Sequence, residues 1–175
     1  MGGFINSSGA GTAAIEEYDP SSDTWTTKPS MPIPRCKFGA VAFNNKIIVM
    51  GGSTNTIDGG SCGTVLNAVD EYDPVSNAWA SKASLFIPQS PVGAVAVASK
   101  IYTIFINSGI FLTQEYDATN DSWALRTPPP EVGQETLAVA TVEGKVYMTS
   151  GSISDNRNMN QEYTPPDFLY VHQKD

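Results

Sequence analysis

The stretch Glu71-Tyr72-Asp73-Pro74-Val75-Ser76-Asn77-Ala78-Trp79 carries the pattern that decides the fold. Its tyrosine and tryptophan are seven residues apart, on either side of an Asp-Pro pair. Asp followed by Pro suits a type I turn, because Asp caps its own backbone and Pro presets φ. The stretch therefore predicts a β-hairpin with one aromatic residue on each strand.

The same interval between two aromatic residues recurs along the chain. The tyrosines repeat about every fifty residues, a period that is typical of propellers and solenoids. Each pair is expected to be a structural element of the repeat. The four pairs are Tyr18 with Trp25, Tyr72 with Trp79, Tyr116 with Trp123, and Tyr163 with Tyr170.

Two further strands are predicted upstream of each tyrosine. In the second unit a strand of small residues begins at Phe38-Gly39, and a β-branched strand follows Lys46 and ends at Gly51-Gly52. Gly, Ala and Val suit a crowded position, and β-branched residues suit a half-buried strand. The glycine pair permits positive φ or a close approach of backbone. Each unit is thus predicted to be four short strands in an all-β chain.

These residues resemble kelch repeats, whose pattern is a small-residue strand, a strand ending in a diglycine, a Tyr-Asp-Pro turn and a tryptophan. The resemblance implies a β-propeller built from blades that are four-stranded antiparallel sheets. The third unit departs from the pattern at Phe105-Ile106, in place of the diglycine, and at Ala118, in place of the proline. The last unit has Thr164 in place of Asp and Tyr170 in place of Trp.

The repeats predict one propeller segment over residues 1–175, with about three and a half blades at about fifty residues a unit. We expect a fragment of a longer propeller, or an open arc that associates with a second copy through its open blade edges. The expected blades are a partial one at 1–28, two complete ones at 38–81 and 92–126, and a divergent last one at 136–172.

Composition limits the classes of partner and cofactor. A net charge of −8 and a pI near 4.5 argue against nucleic acid, whose phosphates are neutralised by Lys and Arg. No apolar run is long enough to insert into a membrane, and no signal peptide is visible, so the compartment stays open between cytoplasm and secretion. With His172 as the one histidine, no cofactor or metal site is expected. Cys36 and Cys62 are either a disulfide or two thiols.

The loops between the strands are the candidate binding face, because variable loops on a rigid scaffold are where binding usually occurs. The resemblance implies that Arg35 grips an acidic motif of a partner, while the residue pattern alone also allows it to cap a strand entry. The predicted partner-binding residues are Arg35, Lys37, Asn55, Asp58, Ser61, Gln89, Ser90, Gln134, Asp155 and Arg157.

Two functions compete on this evidence. The first is a non-catalytic module that binds a protein or a glycan through these loops. The second is part of a sugar-active enzyme that resembles kelch-type sialic acid epimerases or galactose oxidase; a spacer role in a larger protein is a third. The first is favoured, because the small-residue strand that begins each unit presents Gly, Ala, Val and Thr. These side chains cannot serve as a general acid and base. The acidic pairs Glu16-Glu17 and Asp70-Glu71 adjoin the repeated tyrosines and are expected to serve the scaffold.

Overall fold

The predicted all-β class with four-stranded antiparallel sheets is confirmed by the computed structural model. It describes residues 12–54, 56–57, 61–91, 93–107, 110–128, 135–151 and 160–163. The chain divides into two compact units, Met1–Ser90 and Pro91–Asp175. Among the residues just given, no helix is long and apolar enough to cross a membrane.

The described residues of the N-terminal unit form three antiparallel sheets. One is a hairpin of β1 (Ile15–Asp19) and β2 (Thr24–Lys28). A second small hairpin joins β5 (Thr56–Ile57) to β6 (Ser61–Cys62). The largest sheet has the order β3-β4-β7-β8, with β3 at Gly39–Phe43, β4 at Lys46–Met50, β7 at Val69–Asp73 and β8 at Ala78–Lys82.

In the C-terminal unit, the part of the chain that the structure describes forms two antiparallel sheets. The first has the order β12-β11-β10-β9, with β9 at Gly93–Val97, β10 at Lys100–Asn107, β11 at Ile110–Asp117 and β12 at Ser122–Arg126. The second consists of β13 (Glu135–Val142), β14 (Lys145–Gly151) and β15 (Asn160–Tyr163). The first eleven residues of the predicted partial blade, and residues 164–172 of the predicted last blade with Tyr170, lie outside the described residues.

The connection between β10 and β11 is shorter than the one between β4 and β7. β10 and β11 continue their pairing as far as Asn107 and Ile110. The diglycine that ends the matching strand β4 is replaced here by Phe105-Ile106. Because no glycine pair interrupts the ladder, the strands extend and leave only residues 108–109 between them.

The aromatic pairs have one geometry in all three hairpins where both rings are described. The ring centroids of Tyr18 and Trp25 are 5.0 Å apart with an interplanar angle of 39°. The pair at Tyr72 has 5.2 Å and 40°, and the pair at Tyr116 has 5.0 Å and 37°. The two residues of each pair stand directly opposite each other on adjacent strands. The seven-residue interval thus places one tilted aromatic contact across each hairpin.

The turns that follow Tyr18, Tyr72 and Tyr116 are each held by two repeated hydrogen bonds. The carboxylate of Asp73 accepts the backbone N–H of Val75 at 2.8 Å, and Asp19 and Asp117 do the same two residues ahead of themselves. The Tyr72 hydroxyl donates to the Asn77 side chain at 2.6 Å, and the other two tyrosines donate five residues ahead. Asn77 has a φ of 54°, a region that Asn and Asp tolerate better than most residues.

Charged side chains link the strands beside these turns. Lys46 on β4 donates to Glu71 on β7 at 2.7 Å, and Lys100 on β10 lies 2.7 Å from Asp117 on β11. Arg126 donates twice to Glu115 at 2.9 Å, and this contact is the main reason that the pKa of Glu115 is lowered. Both units therefore repeat an acid-base ladder, which supports the scaffold role expected for the acidic pairs.

We predict that acid destabilises the fold through these turns. Hydrogen bonds from the turn lower the pKa of Asp19 and Asp73, and the hydrogen bond from Lys100 lowers the pKa of Asp117. A carboxylate with a lowered pKa in the folded state contributes stability above its unfolded pKa of about 4, which is lost as the pH falls through the folded value. The midpoint of thermal unfolding should drop on acidification from about pH 6 to about pH 2. The variant Asp117→Asn should show a shallower drop, and an equal drop would contradict the assignment.

Each unit has its own hydrophobic cluster. In the N-terminal unit Ile15, Met31 and Val49 are buried together, and Trp79 packs against them and donates its indole N–H to the carbonyl of Pro29 at 3.0 Å. The equivalent Trp25 is 67% exposed, because no described residue covers its hairpin in the same way. In the C-terminal unit the cluster consists of Val95, Tyr102, Ile104, Phe111, Val146 and Met148.

Candidate binding face of the N-terminal unit

Four segments meet at the end of the large sheet that lies opposite its Tyr-Asp-Pro turn. The backbone N–H of Gly52 donates to the carbonyl of Gln89 at 2.8 Å, and the N–H of Leu66 donates to the carbonyl of Gly52 at 2.8 Å. The N–H of Gln89 completes the set by donating to Leu66 at 3.1 Å. We call the four segments the rim junction, which comprises residues 35–37, 51–54, 64–67 and 85–90.

Ser53 lies at the centre of the rim junction. Its backbone exchanges two hydrogen bonds with Cys36, at 2.9 and 3.0 Å, and forms a β-bridge with Val65 on its other side. Its hydroxyl lies 3.0 Å from the hydroxyl of Ser90. Ser53 is fully buried, so these contacts join all four segments beneath the surface.

Gly52 is required at its position by both conformation and space. Its φ of 90° lies in the region that residues with a Cβ rarely adopt. A Cβ built there would lie 2.7 Å from the carbonyl oxygen of Cys36 and 2.9 Å from Cβ of Phe38. The second glycine of the sequence motif is therefore what allows the segments to approach.

The buried side chain of Arg35 cross-links the rim junction to the large sheet. Its guanidinium is fully buried, forms an ion pair with Asp70, and donates to the carbonyls of Gly51 at 3.3 Å and Ala68 at 3.2 Å. Burial lowers the pKa of Arg35, and the charge of Asp70 opposes that shift. A charge-assisted bond to a buried carboxylate is stronger than a neutral one. Arg35 thus joins the end of β4 to the start of β7.

Two predicted partner-binding residues are placed differently by the structure. The resemblance implied that Arg35 grips an acidic motif, and the residue pattern also allowed it to cap a strand entry. In the structure its guanidinium donates to Asp70 and to backbone carbonyls within the fold. Gln89 is 2% exposed, and its backbone holds Gly52 and Leu66 together. Neither side chain reaches the surface, because each lies under the segments that it connects.

The other predicted residues fall into two groups. Lys37 is exposed and has a φ of 51°, and Ser90 is partly exposed. Ser61 is described through its backbone in β6, and Asn55, Asp58, Gln134, Asp155 and Arg157 lie outside the described residues.

The Cys36 thiol is buried and donates to the carbonyl of Ser53 at 3.5 Å. The Cys62 side chain is not described, so the pairing of the two cysteines stays a prediction.

Two exposed apolar residues of the rim junction were not identified from the sequence. Phe86 is 69% exposed and Val65 is 43% exposed. A signal for Phe86 was present, because the same repeat position holds Pro32 in one unit and Glu131 in another. A residue that varies while its neighbours repeat is not needed by the scaffold.

The described residues contain no group of three or more His, Cys, Asp or Glu side chains placed to hold a metal ion. The described residues of the rim junction can therefore make hydrogen bonds, an ionic contact through the ammonium group of Lys37, and apolar contacts through Val65 and Phe86. Each of these suits recognition of another molecule.

Comparisons with known proteins agree with the repeat pattern. The family model described as Kelch motif matches residues 1–32 and 34–85. Kelch-like protein 35 of Mus musculus is 28% identical over 183 aligned positions, which cover 79% of this chain and 31% of the mouse protein. Beta-scruin of Limulus polyphemus is 36% identical over 57% of this chain and 11% of its own length.

A viral relative and a solved structure extend the match over most of the chain. Kelch repeat and BTB domain-containing protein 1 of Ectromelia virus is 27% identical over 94% of this chain and 28% of its own length. The chain thus spans about a third or less of these relatives. The structure of YjhT superimposes with a TM-score of 0.64, covering 84% of this chain and 56% of YjhT at 18% identity, which shows the fold.

Proposed function

Because the chain belongs to the kelch-repeat family, we propose that it is a non-catalytic binding module that engages a protein partner through the rim junction. Kelch-like proteins and scruins among its relatives support a scaffold for protein interaction in general. The partner and the use of this particular face are our proposal.

One observation carries the proposal. The rim junction has a base that is cross-linked by backbone hydrogen bonds and by the buried Arg35–Asp70 pair, while Lys37 and Thr64 are exposed above it. A surface that is already ordered loses little conformational entropy when a partner binds. A rigid base with exposed side chains on loops is the arrangement that recognition usually employs.

The side chains of β3 give less support to a catalytic function than to a binding function. The exposed positions of β3 are Ala40 and Ala42, which carry no titratable group. General acid-base catalysis needs such a group within hydrogen-bond reach of a substrate. The charged pair at the rim junction, Arg35 with Asp70, is buried within the scaffold, where the two charges compensate each other.

Capture of partners with two matched variants tests the proposal. Thr64→Arg places a long side chain on the rim junction, whereas Val75→Arg places the same side chain at the opposite, turn end of the sheet. Both residues are exposed, so both variants should fold, which circular dichroism checks. We expect proteins captured from an extract of the source organism by the wild-type chain to be lost with Thr64→Arg and kept with Val75→Arg.

Two results would contradict the proposed function. One is capture that survives Thr64→Arg but is lost with Val75→Arg, which would place the binding face at the turns. The other is turnover of sialic acids or galactose by the purified chain, since a sugar-active enzyme is the alternative that the resemblance raises.

A further inference from the structure

The hairpin of β1 and β2 lacks a neighbouring strand that the other two Tyr–Trp hairpins have. Among the described residues, β1 pairs with β2 alone. The equivalent strands β7 and β11 pair on their second edge with β4 and β10. A strand edge without a partner presents backbone N–H and C=O groups that can pair with another chain. In the described part of the chain, β1 therefore has one open edge.

The neighbouring strand supplies a cation in both complete sheets. The carboxylate of Glu71 on β7 lies between two lysines, 2.7 Å from Nζ of Lys46 on β4 and 3.7 Å from Nζ of Lys82 on β8. Glu115 on β11 lies between a lysine of β10 and an arginine of β12 in the same way. Each of these glutamates is thus held from both sides of its strand.

Glu17, the equivalent glutamate of β1, is held from one side within the described residues. Nζ of Lys28 on β2 lies 2.9 Å from its carboxylate, and no cation approaches it from the open edge. The side chain of Glu17 is 52% exposed, against 15% for Glu71 and 6% for Glu115. Half of a charge arrangement that occurs twice elsewhere is therefore present at β1.

The tyrosine of β1 shows the same difference in covering. Tyr72 and Tyr116 are buried, and they stand opposite Ile47 of β4 and Ile101 of β10. Tyr18 is 42% exposed. A strand added to the open edge in the register of β4 would place a side chain opposite Tyr18, as Ile47 is placed opposite Tyr72.

Charge limits which strand can occupy the edge. Residues 1–11 contain no lysine or arginine, so they offer no side-chain cation. The strand Ile15–Asp19 carries three carboxylates in five residues. Two copies of it paired edge to edge would set like charges against each other, which destabilises a sheet. The edge therefore favours a strand that carries its own cation.

We propose that the open edge of β1 binds an extended polypeptide segment in trans by addition of an antiparallel strand. The segment carries Lys or Arg opposite Asp19 and within reach of Glu17, followed directly by a branched aliphatic residue opposite Tyr18. Main-chain hydrogen bonds supply affinity in this mode of recognition, and side chains of the added strand supply specificity. None of these residues belongs to the rim junction, so the inference stands apart from the proposed function.

A peptide copied from the chain itself is the probe. Residues 44–52 contain β4, with the required lysine and isoleucine at Lys46 and Ile47. We expect the fluorescently labelled peptide to bind the 175-residue chain in an anisotropy titration. The same peptide with Lys46→Glu should bind about tenfold more weakly, because attraction to two carboxylates becomes repulsion.

A charge swap in the protein tests the contact with Glu17. The double variant Glu17→Lys with Lys28→Glu keeps an ion pair within the hairpin but reverses its direction. Because Asp19 remains, the preference for the lysine peptide should shrink to about threefold or less rather than reverse. Thr64→Arg, which alters the rim junction, should leave peptide binding unchanged.

Hydrogen exchange measured by NMR identifies the edge that is used. The peptide should slow exchange of backbone amides in β1 and leave those of β8 unchanged. The inference fails if the peptide does not bind, if binding leaves exchange in β1 unaltered, or if the lysine and glutamate peptides bind equally. It also fails if β1 is already protected in the free chain. Protection lost on deletion of residues 1–11 would assign the edge to them, and protection that rises with protein concentration would assign it to a second copy.

Discussion

Arg35→Gln is expected to lower the free energy of unfolding by about 3 to 5 kcal/mol, because it leaves a buried carboxylate without its cation. The side chains of Arg35 and Asp70 are 0% and 4% exposed. The substitution also removes donors to the carbonyls of Gly51 and Ala68. Urea unfolding followed by circular dichroism measures the loss.

The next repeat supplies the control. The positions equivalent to Arg35 and Asp70 hold Gln89 and Gln114, and both glutamines are buried. The double variant Arg35→Gln with Asp70→Gln places neutral amides at both sites. The double variant should lose less unfolding free energy than the two single variants lose in sum. The difference, which is the coupling free energy of the pair, should be about 1 to 3 kcal/mol. Additive single effects would contradict a direct role for the pair.

Gly52→Ala is expected to destabilise the chain by about 2 to 4 kcal/mol, from backbone strain together with overpacking. The new methyl group would meet the carbonyl oxygen of Cys36, which belongs to the rim junction, and Cβ of Phe38, which follows it at the start of β3. Thermal and urea unfolding should both report the change.

Gly144→Ala separates strain from crowding. Gly144 has a φ of 75°, but a Cβ there would meet nothing within 4 Å. Only the strain remains, so a cost of about 1 kcal/mol is expected. Equal losses at the two glycines would show that the contacts of Gly52 with segment 35–37 do not hold the rim junction together.

The scaffold was predictable from the sequence because its determinants are local. The seven-residue interval between Tyr72 and Trp79 places the two residues opposite each other on the strands of one β-hairpin. Their rings are therefore in contact. Asp73 also caps its own turn, as its position before Pro74 indicated. The hydrogen bond from Tyr72 to Asn77 was not foreseen, since it depends on the left-handed conformation of Asn77.

The binding face was only partly predictable because its determinants are distant in sequence. For Arg35 the sequence left partner binding and a cap at a strand entry both open, because nothing near it in sequence shows that Asp70, thirty-five residues away, pairs with its charge. Lys37 is exposed, as its position in a loop suggested, and its role in binding stays a prediction. In the sequence, Phe86 is one of several apolar residues that follow a strand, and nothing local marks it as exposed. Its exposure follows from Leu85, which occupies the inward position instead.

Site-specific photo-crosslinking tests most directly whether the rim junction is the binding face. A p-benzoyl-phenylalanine is placed at position 86, where it replaces an aromatic residue, and separately at position 75 at the turn end. Both positions are exposed, so both variants can report on a bound partner. In an extract of the source organism we predict protein adducts from position 86 and none from position 75. Adducts from position 75 with none from position 86 would contradict the account.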